Sequence, residues 1–237
     1  MKKILISDYD KTLYTNKESI EINLKEIEKF RKKGNLFAIA TGRSFDSFIK
    51  KMNLYEIKLD YLILNHGAIV MDNKFNIIKS FSIENEIANQ IILEIKKYPS
   101  VKRISIFDIK SKKIALEDGK EVNKISIFLS DLTKSEEIVD ILKSKFSKYI
   151  KVYLTINKHK MIEIIPSNTD KAKAIAFILE KEKINKENVY TIGDAVNDLE
   201  MIEKYNGYGM LHSEQIIIDK AKKLYNNVYD LIDDINS

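Results

Sequence analysis

The sequence predicts an α/β fold in which a Rossmann-like parallel sheet, covered by helices, is interrupted by an inserted α+β unit. Three observations carry that expectation. Residues 1–80 alternate short apolar runs with amphipathic stretches, a pattern that belongs to a parallel sheet buried on both faces. From about residue 83 strand pairs punctuated by two helices take over, as in an antiparallel sheet with helices. After Pro166 the first pattern resumes. Residues 1–80 and 167–237 therefore read as one discontinuous domain, and residues 81–166 as an insertion into it.

In order along the chain, residues 3–7 are an apolar run and read as a strand. Residues 19–33 have helical periodicity and stop at Gly34, a residue suited to the end of a helix. A strand at 36–40, a helix at 44–52 and a strand at 61–64 follow. Residues 68–72 and 75–80, separated by Asn73-Lys74, read as a hairpin. The insertion is expected to hold a helix at 83–97, strands near 101–108, 112–116 and 124–129, and a helix at 135–149. Strands at 152–156 and 161–165 close it, joined through 157–160. Beyond it come a helix at 171–181, a strand at 189–192, a helix at 198–205, a short strand at 208–211 and a helix at 214–223.

Composition narrows the function. The chain has 237 residues, 44% of them hydrophobic and 32% charged, which is ordinary for a globular protein of one or two domains. No apolar run approaches the length of a membrane span, and the first apolar stretch meets aspartate too soon for a signal peptide. A cytoplasmic protein without a membrane partner is expected. Without cysteine, disulfides and thiolate metal sites are excluded, and three scattered histidines (His66, His159, His212) do not make a zinc cage. Any metal must be held by oxygen. The net charge of +5 is a small surplus spread along the chain, and no arginine-rich arm or basic stripe interleaved with aromatics points to nucleic acid.

The chemistry-bearing residues lie where strands are expected to end. The first strand runs into Asp8-Tyr9-Asp10-Lys11-Thr12. In extended backbone residues i and i+2 point the same way, so Asp8 and Asp10 would crowd two carboxylates together, which a cation or a shared proton must separate. Thr41-Gly42-Arg43 follows the second strand, Thr169-Asp170-Lys171 opens a helix, and Gly193-Asp194-Ala195-Val196-Asn197-Asp198 follows a late strand. In an open α/β sheet ligands bind at the carboxyl ends of the strands, so these turns can converge on one crevice. Carboxylates without His or Cys favour a hard cation such as Mg2+, and with a lysine they suit phosphoryl transfer to a carboxylate nucleophile. Taken singly, Thr12 and Thr41 also read as turn or capping hydroxyls, Lys171 as a solvated helix residue and Asp198 as a first-turn carboxylate.

These motifs, in order along the whole chain, resemble those of the haloacid dehalogenase superfamily of phosphohydrolases. The insertion between the second and third is similar to a C2-type cap of the Cof-like branch. The resemblance implies Asp8 as nucleophile and Mg2+ ligand, and Asp10 as general acid/base whose carbonyl also binds the metal. It implies Thr41, Gly42, Lys171 and Asn197 as phosphate-binding, Asp194 as a metal ligand, and Asp198 as acting through water or by orienting Lys171. Thr12 would be supporting, and Arg43 would reach toward the substrate or the cap. Asn65-His66-Gly67-Ala68 departs from the family pattern, which has Asn directly before Gly-Ala. Either Asn65 stands in from one residue earlier, or His66 supplies the donor, or neither matters. The implied activity is Mg2+-dependent hydrolysis of a small phosphorylated metabolite, such as a sugar phosphate or phosphoglycolate, by a monomer or homodimer. A phosphomutase, or a signalling module built on an aspartyl-phosphate, are the alternatives.

Overall fold

Eight strands form the larger sheet among the described residues, which in this computed structural model are 1–116, 119–156 and 160–236. Its first strands are β1 (Ile4–Ser7), β2 (Leu36–Ala40), β3 (Tyr61–Leu64), β4 (Ile69–Asp72) and β5 (Ile77–Ser80). The later ones are β11 (Val189–Gly193), β12 (Asn206–Met210) and β13 (Leu224–Tyr225). Their order is β13-β12-β11-β1-β2-β3-β4-β5. Pairing is parallel from β13 to β3, while β4 and β5 add an antiparallel edge. β1 is therefore central, and the turns after β1, β2, β3 and β11 share one edge of the sheet.

Helices cover both faces. α1 (Lys17–Lys32) begins with a reciprocal cap between Asn16 and Ser19, and its buried Ile20, Ile27 and Phe30 lie over one face. α2 (Phe45–Tyr55) joins β2 to β3. α5 (Lys171–Glu182) and α6 (Leu199–Lys204) cover the opposite face through Ala172, Ile175, Ile178, Met201 and Ile202. The apolar runs of the parallel strands are buried on both sides, as a doubly covered sheet requires.

Between β5 and α5 lies the second, antiparallel sheet. It comprises β6 (Val101–Asp108), β7 (Lys113–Ile114), β8 (Val122–Leu129), β9 (Ile150–Ile156) and β10 (Lys160–Pro166), in the order β7-β6-β8-β10-β9. α3 (Asn85–Ile95) and α4 (Ser135–Phe146) pack on one face, where Ile125, Ile127, Ile162 and Ile164 join Ile91, Ile95, Ile138 and Leu142 in a core of their own. Strand alternation sends Lys124, Ser126 and Glu163 to the other face, where all three are nevertheless buried. That polar face lies against the strand ends of the larger sheet.

Three expectations are revised. The helix expected at 214–223 is only α7 (Gln215–Ile218), because Lys220 to Lys222 turn back to deliver the short strand β13. The strand expected at 112–116 is confined to Lys113–Ile114. The chain also ends in α8 (Val228–Asn236), which was not expected; its Val228, Leu231, Ile232 and Ile235 recur at helical spacing and bury against the α1 side of the sheet. The turn expected at 157–160 and His159 lie outside the described residues, apart from Lys160. Among the described residues no helix is long and apolar enough to cross a membrane.

Candidate active site

The turn after β1 places Asp8 at the centre of the site. Its backbone N–H donates to the Ile192 carbonyl at 2.9 Å, continuing the β1–β11 ladder, and its carbonyl accepts from Leu13 N–H at 3.2 Å, which curls residues 8–14 into a tight loop. α5 brings the cation. Asp170 caps that helix by accepting from Lys173 N–H at 2.7 Å, so Lys171 becomes the first helical residue, at the end where the helix dipole disfavours a positive charge. Two carboxylates compensate. Lys171 Nζ is completely buried and donates to Asp8 Oδ1 at 2.6 Å and to Asp198 Oδ1 at 2.5 Å.

The turn after β11 supplies the remaining carboxylates. Asp198 Oδ2 accepts from the backbone N–H groups of Asp194 and Ala195 at 3.1 and 3.2 Å. Asp194 Oδ1 accepts from the Thr12 hydroxyl at 2.8 Å, so Thr12 ties the first turn to the last. Asp8, Asp194 and Asp198 each offer an oxygen within 4.8 Å of the others, and all three are buried. Three carboxylates around one ammonium leave two negative charges uncompensated, and the proton affinities reflect it. Burial, together with Asp198 and Asp194, raises the Asp8 carboxyl well above its ordinary range despite Lys171. Burial and Asp198 push Asp194 up to about 6. Burial works against charged Lys171, but Asp198 and Asp8 outweigh it and raise the ammonium pKa.

Asp10 sits two residues after Asp8 but turns to a different partner. Arg43 grips it bidentately, Nε to Oδ2 and Nη2 to Oδ1, both at 2.7 Å, and also donates to the Ser47 hydroxyl at 3.0 Å. Arg43, expected to reach toward substrate or the insertion, is thus committed to Asp10, a match of planar fork to carboxylate that lysine could not make. Thr41 is buried, with its hydroxyl accepting from Arg43 N–H at 3.2 Å. Gly42 lies beside it, and Asn197 is half-buried in the turn Val196–Asp198.

Asn65 and His66 both adopt left-handed backbone, with φ of 50° and 56°. The Asn65 amide is spent on the Ser111 hydroxyl at 3.1 Å and the Asn123 side-chain Oδ1 at 2.6 Å, both in the second sheet region. His66 stacks on Tyr153 and its Nε2 meets Glu163 Oε2 at 2.7 Å. Neither side chain places a hydrogen bond on the carboxylate cluster. Sequence reasoning missed the partners themselves: Ser111, Asn123, Lys124, Tyr153 and Glu163. The signal for two of them was present, since Lys124 beside Ile125 and Glu163 between Ile162 and Ile164 place charges within strands.

A parallel sheet whose strand ends gather three aspartates and a buried lysine under a second, polar-faced sheet defines a class of α/β enzyme. The family model for haloacid dehalogenase-like hydrolases matches residues 5–112 and 93–230, and the chain belongs to that family. An uncharacterized protein of Mycoplasma capricolum is 26% identical over 263 residues, covering 98% of this chain and 99% of that one. The 5-amino-6-(5-phospho-D-ribitylamino)uracil phosphatase YcsE of Bacillus subtilis is 23% identical over 234 residues, covering 92% and 88%. A HAD/COF-like protein of Plasmodium vivax superposes with a TM-score of 0.80 at 22% identity, covering 99% of this chain and 95% of its own.

Proposed function

We propose that the protein is a Mg2+-dependent phosphomonoesterase of small phosphorylated metabolites, working through a phosphorylated Asp8. The observation that carries this reading is the buried set of Asp8, Asp194 and Asp198 around Lys171, with two negative charges in excess. A divalent cation matches that excess and the all-oxygen donor set. Asp8, Asp194 and the Asp10 carbonyl are the ligands favoured here, because both oxygens of Asp198 already accept from Lys171 and from backbone N–H groups. When bound, Mg2+ supplies charge neutralisation for the incoming phosphate and the attacking carboxylate.

The chain's own groups then have these roles. Lys171, held by Asp198, keeps Asp8 oriented as the nucleophile and offers a fixed positive charge to the phosphoryl oxygens. The Thr41 hydroxyl, the Gly42 N–H and Asn197 complete the cradle for those oxygens. Asp8 attacks phosphorus and the ester bond breaks; Asp10 gives the leaving oxygen its proton, then takes one from the water that releases phosphate. For this Asp10 must loosen its grip on Arg43, which holds it in place between turnovers. Residues 81–166 serve as a cap whose polar face excludes bulk water and limits the organic part of the substrate to something small and hydroxylated.

YcsE acts on a phosphorylated ribitylamino compound, and its similarity supports a polyol phosphate as the first substrate class to test. A panel of phosphomonoesters assayed with Mg2+ and with chelator is the experiment. Release of phosphate from at least one small ester, dependent on Mg2+, is expected; full activity in chelator, or none on any ester, would reject the reading.

A further inference from the structure

The polar face of the second sheet contains a buried cluster that the proposed chemistry does not use. The registers β6–β8, β8–β10 and β10–β9 align Ser105, Ser126, Glu163 and Tyr153 in one row. Glu163 Oε1 accepts from Lys124 Nζ at 2.9 Å, and its Oε2 meets His66 Nε2 at 2.7 Å. The Lys124 and Glu163 side chains are 4% and 7% exposed. Charges this deep need a reason beyond each other, since a surface pair would serve the fold as well.

The remaining contact gives that reason. Lys124 Nζ also donates to the Gly42 carbonyl at 2.7 Å, crossing from the second sheet to the Thr41-Gly42-Arg43 turn. The same turn is fixed from the other side by His66, whose N–H donates to the Thr41 carbonyl at 3.1 Å. The His66 ring lies so close that a Cβ on Gly42 would come within 2.3 Å of it. Glu163 therefore holds the Lys124 ammonium that reaches the turn and the ring of His66, whose backbone N–H holds it from the other side, and burial is opposed by Lys124 and His66 so effectively that its carboxyl stays well below the usual range.

We propose that Lys124 is a positioning residue for phosphate binding: by fixing the Gly42 peptide from the second sheet, it orients the turn that cradles the phosphoryl group, with Glu163 as its counter-ion. The proposal rests on reading Thr41-Gly42 as that cradle. A carbonyl held by an ammonium fixes its own peptide plane, here the Gly42 carbonyl with the Arg43 N–H that donates to the Thr41 hydroxyl, while the preceding plane, which carries the Gly42 N–H, is held by His66 N–H on the Thr41 carbonyl.

A role on the phosphate is separable from a role on the rest of the substrate. Lys124→Met leaves Glu163 buried without its main partner, so the double variant Lys124→Met/Glu163→Gln, which removes both charges together, is the better test should the single variant fold poorly. Binding of inorganic phosphate in the presence of Mg2+, followed by titration calorimetry, reads the effect directly. Both variants are expected to bind phosphate about 10- to 100-fold more weakly, the effect of one lost hydrogen bond to a charged group. Their kcat/KM should fall by one common factor across esters with unlike leaving groups. Unchanged phosphate affinity in a folded double variant overturns the proposal. So does a loss that varies from ester to ester while phosphate binds normally, which would make Lys124 a reader of the leaving group. If the unmodified protein binds phosphate but hydrolyses no ester, the phosphatase reading fails while the phosphate comparison still decides the role of Lys124. Absence of phosphate binding by the unmodified protein would overturn the proposal, while the ester panel alone still decides the phosphatase reading.

Discussion

Replacing Asp194 by Asn should stabilise the metal-free protein while impairing its chemistry. Asp194 is 6% exposed and shares its pocket with Asp8 and Asp198. Burial and the Asp198 charge hold its carboxyl near 6 instead of 3.8. The folded chain thus binds this proton more tightly than the unfolded chain. The sign follows: as pH rises from about 4 to 6 the unfolded state sheds the proton first, so stability falls, and above 6 the penalty is complete. At neutral pH that penalty is about 3 kcal/mol. Asn carries no charge to penalise and retains an oxygen for the Thr12 hydroxyl. For a chain of this size the gain corresponds to a rise in Tm of roughly 6–12 °C. Thermal unfolding in EDTA across this pH range is the assay: the variant should unfold later at neutral pH and its advantage should vanish near pH 4. Saturating Mg2+ should narrow or reverse the order, since a ligand at 100 times its Kd stabilises by about 2.7 kcal/mol and the variant would lack one of the proposed metal ligands. A variant no more stable than the parent in EDTA at neutral pH would refute the charge-excess argument. So would an advantage that does not change with pH.

The other expectations are briefer. Asp10→Asn should lower kcat by about 10²- to 10⁴-fold with the fold intact, measured by steady-state kinetics beside circular dichroism. EDTA should abolish activity and Mg2+ restore it, whereas Ca2+, with its looser geometry and larger ligand number, should inhibit. Gly67→Ala should destabilise by about 1–3 kcal/mol in urea unfolding and slow turnover, because φ is +105° and a Cβ would lie 2.2 Å from the Asp170 carbonyl oxygen at the start of α5, displacing Lys171. Glu163→Gln should cost about 3–5 kcal/mol at neutral pH by leaving Lys124 unmatched. Since the folded Glu163 carboxyl sits below its ordinary range, its contribution is present above about pH 4.5 and is lost as pH falls, so variant and parent should converge in acid.

Much of this site is legible from the residues that end strands. An apolar run entering Asp8-Tyr9-Asp10, or Ile192 entering Gly193-Asp194, marks a carboxylate at a strand end because the end of the continuous apolar run fixes where the buried strand stops. Lys171 becomes specific only through its place beside the Asp170 cap. Long-range pairing is what the sequence hides: Asp10 and Arg43 are 33 residues apart, and both Asn65 and His66 find their partners in the second sheet. Lys124 and Glu163 were discoverable in principle. Ile125, Ile127 and Leu129 set one face of β8, which assigns Lys124 to the other, and a charge on a buried polar face implies a partner. The missed helix α8 is a different case, since the i, i+3, i+4, i+7 pattern from Val228 is present but short and close to the chain end.

Acid quenching followed by peptide mass spectrometry reads whether Asp8 carries the phosphoryl group during turnover. With Mg2+ and an ester that the protein hydrolyses, the peptide containing Asp8 should gain one phosphoryl group on the Asp8 side chain, to a greater extent in Asp10→Asn, where release to water is slowed. The modification should be absent from Asp8→Asn, along with turnover. Near-normal hydrolysis by Asp8→Asn, or a phosphoryl group found on another residue, would rule out Asp8 as the phosphoryl carrier.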